Sequence, residues 1–96
     1  MHVILVVDVK GLKDQVVFEK HLKKEGFKSM PDEPFVYEGD TTTHLFSTRA
    51  FILEVVLKGL EKSGFVDCKI MFQVGNNPLE AYQFDTLHNE FIALRV

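Results

Sequence analysis

The chain has a single cysteine, no tryptophan, three prolines and only two arginines, Arg49 and Arg95, among its 96 residues. One cysteine excludes an internal disulfide and leaves no second thiol at zinc-ligand spacing, as expected of a cytoplasmic protein. No apolar run approaches the ~18 residues that a membrane span requires. The apolar start MHVILVVDVK lacks a basic leader and a small-residue cleavage site, so it is expected to form a buried strand and not a signal peptide. A net charge of −3 and a pI near 5.7 argue against a general electrostatic grip on nucleic-acid phosphates. What remains is 46 % hydrophobic and 26 % charged, with nine phenylalanines. That is the composition of one globular domain with a core of bulky apolar groups.

Residues 3–9 form an almost unbroken β-branched and leucine run, the pattern of a central strand. Asp14 caps a first helix over about residues 14–25, with Val17, Phe18, His21 and Leu22 on one face. Lys23 and Lys24 suit its negative end, and Gly26-Phe27 closes it. Prolines and acids between Ser29 and Pro34 oppose a central strand there. Residues 35–37 are expected to be a short edge strand, Glu38-Gly39-Asp40 a turn, and residues 42–46 a threonine-rich return strand. Ser47 or Thr48 caps a second helix over about 48–63, with Ala50, Leu53, Val56, Leu57 and Leu60 as its core stripe. Residues 68–74 are a further apolar strand. Asn77, Pro78 and Glu80 then carry a capping signal for a short third helix, and residues 90–96 are apolar enough for a last strand.

An internal echo organises these elements. Leu22-Lys23-Lys24-Glu25-Gly26-Phe27 and Leu60-Glu61-Lys62-Ser63-Gly64-Phe65 share L-x-K-x-G-F, each at a helix end before a strand. The motif alone is a common helix stop. Joined to the order β-α-β-β-α-β, it predicts an α+β, ferredoxin-like sandwich with an antiparallel sheet, the core in residues 1–75 and a C-terminal extension over 76–96. Both faces of the first strand are apolar, with Val3, Leu5, Val7 and Val9 on one and Ile4, Val6 and Asp8 on the other. The second face therefore needs a cover, either the tail or a second copy of the chain. Phe51 and Val55, opposite the predicted stripe of the second helix, point the same way, and a homodimer is the expected state.

Asp8 stands out because an acid at the carboxyl end of a central strand runs against propensity. Beside a two-fold axis, two such carboxylates could share a divalent cation, Mg²⁺ or Mn²⁺, and activate a water. Equally, Asp8 could be solvated at the strand mouth or paired with Lys10. Ser47, Thr48 and Arg49 bring two hydroxyls and a guanidinium to a helix start, where a phosphate could bind. The plainer account is a helix cap with an arginine on the sheet edge. The four histidines form no metal constellation, with His2 and His44 expected on different strands, His21 at the helix–sheet boundary and His88 in the tail. Cys68 is expected to be a packed thiol, since no base is supplied for it. Asp32, Glu33, Glu38 and Asp40 make an acidic rim, suited to a basic partner or simply to solvent.

The first strand V-I-L-V-V-D-V, the acidic loop and the segment F-V-Y-E-G, followed by a second β-α-β half, resemble the VapD-type and CRISPR-associated small endoribonucleases, with GhoS-like RNA-cleaving antitoxins similar in size and plan. The resemblance implies a ferredoxin-like homodimer of the toxin–antitoxin kind that cleaves RNA. In the metal-dependent members the acid ending the first strand is catalytic, and Asp8 is the position that matches. The basic opening of the first helix in that family is here Lys13-Asp14-Gln15, without an arginine. The other function class is a non-catalytic dimeric module that binds another protein or regulates it.

Overall fold

The apolar opening segment lies in the middle of a sheet. The computed structural model describes residues 1–94. In chain order its elements are β1 (His2–Lys10), α1 (Gln15–Lys24), β2 (Lys28–Met30), β3 (Glu33–Asp40), α2 (Leu45–Ser63), β4 (Asp67–Val74), β5 (Glu80–Asp85) and β6 (Glu90–Leu94). The strands form one six-stranded sheet in the order β2-β3-β1-β4-β5-β6, antiparallel at every step. The fold is α+β, with both helices on one face. Val3, Leu5 and Val7 of β1 are fully buried there, in one core with Phe18 and Leu22 of α1, Ile52, Val56 and Leu60 of α2, and Ile70 and Phe72 of β4. On the opposite face Ile4 and Val6 are half-buried and Asp8 is exposed.

Helix α1 has the predicted bounds. Asp14 accepts a hydrogen bond from the Val17 amide at 3.1 Å, and the Phe27 amide reaches back to the Leu22 carbonyl at 2.8 Å across Gly26, whose φ is +99°. The second copy of L-x-K-x-G-F also ends its helix on a glycine at positive φ, but through the Gly64 amide and the Leu60 carbonyl. The echo is thus a shared way of stopping a helix, executed with two hydrogen-bond patterns.

Several expectations are corrected. Residues 35–37 belong to an interior strand, β3, which continues through the anticipated turn at Glu38-Gly39-Asp40. The hairpin turn lies earlier, at Pro31-Asp32, where Asp32 takes φ +63°. Pro34 is tolerated because the β1–β3 ladder ends at the pair Val6↔Val36, so its missing N–H lies beyond β1. Residues 42–46 are not a strand. Thr41 and Thr43 bond each other and Thr48 through their hydroxyls at 2.8–3.1 Å, local pairing that competes with a ladder, and α2 begins at Leu45 behind His44 as its cap.

The buried stripe of α2 is rotated from the predicted one. It comprises Thr48, Ile52, Val55, Val56, Gly59, Leu60 and Ser63, while Ala50 is exposed and Leu53 and Leu57 are half-buried. Helix α1 packs on the Val55–Gly59 side, so Val55, expected in solvent, is 4 % exposed. Phe51 does remain half in solvent, stacked on Phe27 with ring centroids 6.2 Å apart. The third helix is absent among the described residues. Asn77 binds the Val74 carbonyl through both its backbone and side-chain amides, closing a turn, and the chain returns as β5. Tyr82 and Phe84 alternate inward against Phe72 and Phe65, a period of two that outweighs the capping signal. The last strand is present as β6 over Glu90–Leu94, and the end of that prediction, Arg95 and Val96, lies outside the described residues. Among the described residues the tail extends the sheet sideways and does not cover its open face.

Candidate functional site

Asp8 stands near the end of β1 on the face that the helices leave open. Its cross-strand partner is Lys69, and the next pair along is Lys10↔Asp67. Two acids and two lysines therefore alternate at this corner. The Asp67 carboxylate accepts a hydrogen bond from the Gln83 side-chain amide at 2.8 Å. Among the described residues no group of three or more histidine, cysteine or acidic side chains gathers to hold a metal ion. One carboxylate opposite an ammonium is not a divalent-cation site within a single chain, since such ions take several oxygen ligands. Cys68 is the neighbour on the other face. Burial, then the charges of Asp67 and Asp8, push its thiol up to about 12, so it is a packed, protonated thiol as expected.

Ser47, Thr48 and Arg49 lie elsewhere. Thr41, just before this helix start, donates its amide to the Met1 carbonyl, whereas Val66, just after the helix end, donates to Lys10. The start of α2 thus lies over the beginning of β1, and Asp8 lies near its far end on the opposite face. The structure does not bring the two candidates together. Ser47 Oγ bonds the His44 ring at 3.2 Å, and Thr48 is buried within the threonine cluster. Arg49 meets Glu80 in a two-pronged pair, Nε donating to Oε1 at 2.6 Å and Nη2 to Oε2 at 3.1 Å. Tyr82 donates its hydroxyl to the same carboxylate at 2.7 Å, and the guanidinium lies 5.2 Å from the Phe46 ring centre. A phosphate here would have to displace Glu80.

Sequence reasoning missed this Arg49–Glu80–Tyr82 unit because it placed Glu80 in a helix. On a strand, Glu80 and Tyr82 share one face, and that alternation was the available signal. The unit sets a pH response. Burial alone would raise the Glu80 carboxyl, but the hydrogen bonds from Arg49 and Tyr82 and the Arg49 charge outweigh it and hold the carboxyl below its usual range. A depressed folded-state value contributes stability that is complete above the unfolded carboxylate value of about 4.3 and is lost as pH falls through the folded one. The stability gap between wild type and Glu80→Gln, read from urea midpoints, is therefore expected to shrink as pH falls from about 5 to about 3. A constant gap would show that the carboxylate charge contributes nothing.

His21 also differs from its expected place. It is buried between the helices, with Nε2 3.1 Å from the Val55 carbonyl and Nδ1 3.3 Å from the Lys62 ammonium. A carbonyl only accepts and an ammonium only donates, so these partners make Nε2 the donor and Nδ1 the acceptor. His44 caps α2, and His88 pairs with Asp85 at 2.6 Å beside the β5–β6 turn.

Comparison with protein-family models, curated proteins and solved structures finds no match for this chain. The functional reading therefore rests on the residues themselves.

Proposed function

We propose that the chain is a ferredoxin-like module that works as a homodimer, with the two open sheet faces packed together, and that its task is binding and not catalysis. The element order of the first 74 residues and the strand order β2-β3-β1-β4 support the fold reading. The observation that carries the dimer is the open face itself. Ile4, Val6, Val36 and Met71 form a half-buried apolar band across three central strands, continued by Ala81, Ile92 and Leu94 at the margin. Charges of both signs frame it: Asp8, Lys10, Asp67 and Lys69 at one end, and His2, Lys28, Glu38 and Asp40 at the other. Such a frame is self-complementary, because a two-fold related copy can set lysine against acid without a like-charge clash. Six strands at ~4.8 Å spacing and about five residues at ~3.4 Å bury on the order of 1,000 Å² in total when paired, at the lower limit for stable association.

Sedimentation at micromolar concentration is expected to give twice the chain mass for the wild type. Met71→Lys, which sets a charge in the band without touching the buried core, should give the single-chain mass with unchanged circular dichroism. A wild-type monomer would overturn the dimer.

A second reading is RNA cleavage of the VapD type, and one observation favours it. Asp8 is exposed on the very face proposed to pair, so association could bring two carboxylates near each other. Asp8 lacks fellow ligands within its own chain, and for that reason this reading stands second. Incubation of a mixed RNA pool with wild type and Asp8→Asn, with Mg²⁺ or Mn²⁺, separates the two. Cleavage that Asp8→Asn abolishes would reverse their order. No cleavage, or equal cleavage by both, leaves the binding module.

A further inference from the structure

The ten residues of α1 pass over a margin of the sheet formed by a strand of only three, β2. The helix overhangs, and a groove of about 570 Å³ opens beneath it. Val16, Glu19, Lys20 and Lys23, spaced for one helical face, form its upper wall, and Lys28 and Ser29 form the lower one. Phe27 and Tyr37 close its floor. Its size falls within the ~300–1,000 Å³ of ordinary small-molecule sites.

Two independent features set this groove apart from a solvated surface. Three lysines face it against one acid, and none of the three joins an ion pair among the described residues. The Tyr37 side chain, 1 % exposed, carries a buried hydroxyl with no hydrogen-bond partner, the only such side-chain atom among the described residues. A dry, unpaired hydroxyl is costly to a fold, and native proteins rarely keep one without a use. Burial first, and the Glu19 charge second, push the phenol well above its ordinary value, so it stays a donor at every working pH. A hydroxyl that keeps its proton can donate it, and an acceptor would complete it.

We propose that this groove binds a small phosphomonoester with an apolar body: the phosphate among Lys20, Lys23 and Lys28, and an acceptor oxygen of the same molecule on the Tyr37 hydroxyl. A phosphomonoester carries close to two negative charges at neutral pH, and lysines hold it as point charges. Val16 and Phe27 receive the apolar part. The site meets the open face only at Lys28, on the sheet margin, because Tyr37 lies with Leu5 on the helix side of the sheet.

Calorimetric titration with AMP and with phenyl phosphate tests it, with adenosine and inorganic phosphate as controls. At least one of the two phosphomonoesters should bind, and adenosine and inorganic phosphate should each bind at least tenfold more weakly than it. Tyr37→Phe removes only the hydroxyl. It should weaken the phosphomonoester at least tenfold while the unliganded protein melts at the wild-type temperature or above. Lys23→Gln, on the exposed helix face, should weaken binding and flatten its salt dependence. Three results would each overturn the proposal: neither phosphomonoester binding at millimolar concentration, undiminished binding by Tyr37→Phe, or a lower melting temperature for unliganded Tyr37→Phe. The last would mean that the hydroxyl already has a partner in the free protein.

Discussion

Phe18→Ala is expected to remove about 3–5 kcal/mol of unfolding free energy, the range for emptying a fully buried aromatic site. Phe18 has no exposed surface and joins three elements. It projects from α1, meets Tyr37 of β3 edge to face at 6.4 Å, and lies against Gly59 of α2. Collapse cannot close the gap easily, because the sheet below and the second helix beside it are each held by their own hydrogen bonds. A domain of this size holds roughly 5–15 kcal/mol in all, so the variant would be left marginal. Urea unfolding should show a lower midpoint at an unchanged slope. A loss below about 1 kcal/mol would mean that the helices can close over the site and that Phe18 is not the centre of the core.

Gly59→Leu is expected to destabilise by about 3 kcal/mol, at the upper end of the overpacking range. Glycine inside a helix is itself unfavourable by ~0.5–1 kcal/mol relative to alanine, so a packing reason must hold it there. A Cβ at this position would sit 3.1 Å from ring carbons of both Phe18 and His21. Gly59→Ala should be close to neutral, its gain in helix propensity offset by the push on those two rings. The leucine needs more room than either can yield. Because its obstacle is largely the Phe18 ring, Phe18→Ala combined with Gly59→Leu should be more stable than the sum of the single losses, by about 1 kcal/mol or more. Strict additivity in thermal or urea melts would show that the two side chains do not share this space.

What could be foreseen divides along a physical line. β1, α1 and β4 were legible because each is dictated by its own residues: an apolar run, a cap and a glycine stop. The β2–β3 hairpin was displaced because its register depends on Asp32 adopting a positive φ and on Pro34 lying past the ladder, and both are settled by the partner strand. The stripe of α2 was misjudged since the hydrophobic pattern does not say from which side α1 approaches, and it is Gly59, silent in any hydrophobicity reading, that decides. Asn77-Pro78-Glu80 spells a helix start correctly in isolation, and the neighbouring β4 edge overrides it. Asp8 was visible from the sequence as an acid at a strand end. Its isolation from other ligands was not, nor was the groove, which exists only because a long helix crosses a short strand.

The hairpin of β5 and β6 gives the molecule an uneven architecture in time as well as in space. β6 is bonded to the sheet only through β5, and β5 only through β4. Its partners are near in sequence, whereas β1 must find Asp40 on one side and Val74 on the other. Closing those long loops is the slow part of assembly, and zipping the hairpin onto a finished β4 is the quick one. The same asymmetry runs in reverse. The terminal ribbon can peel away at the cost of its own ties, the Arg49–Glu80 pair and the packing of Tyr82 and Phe84, while β1 to β4 and both helices keep the long-range contacts among themselves, so the last strands to arrive are also the first to leave.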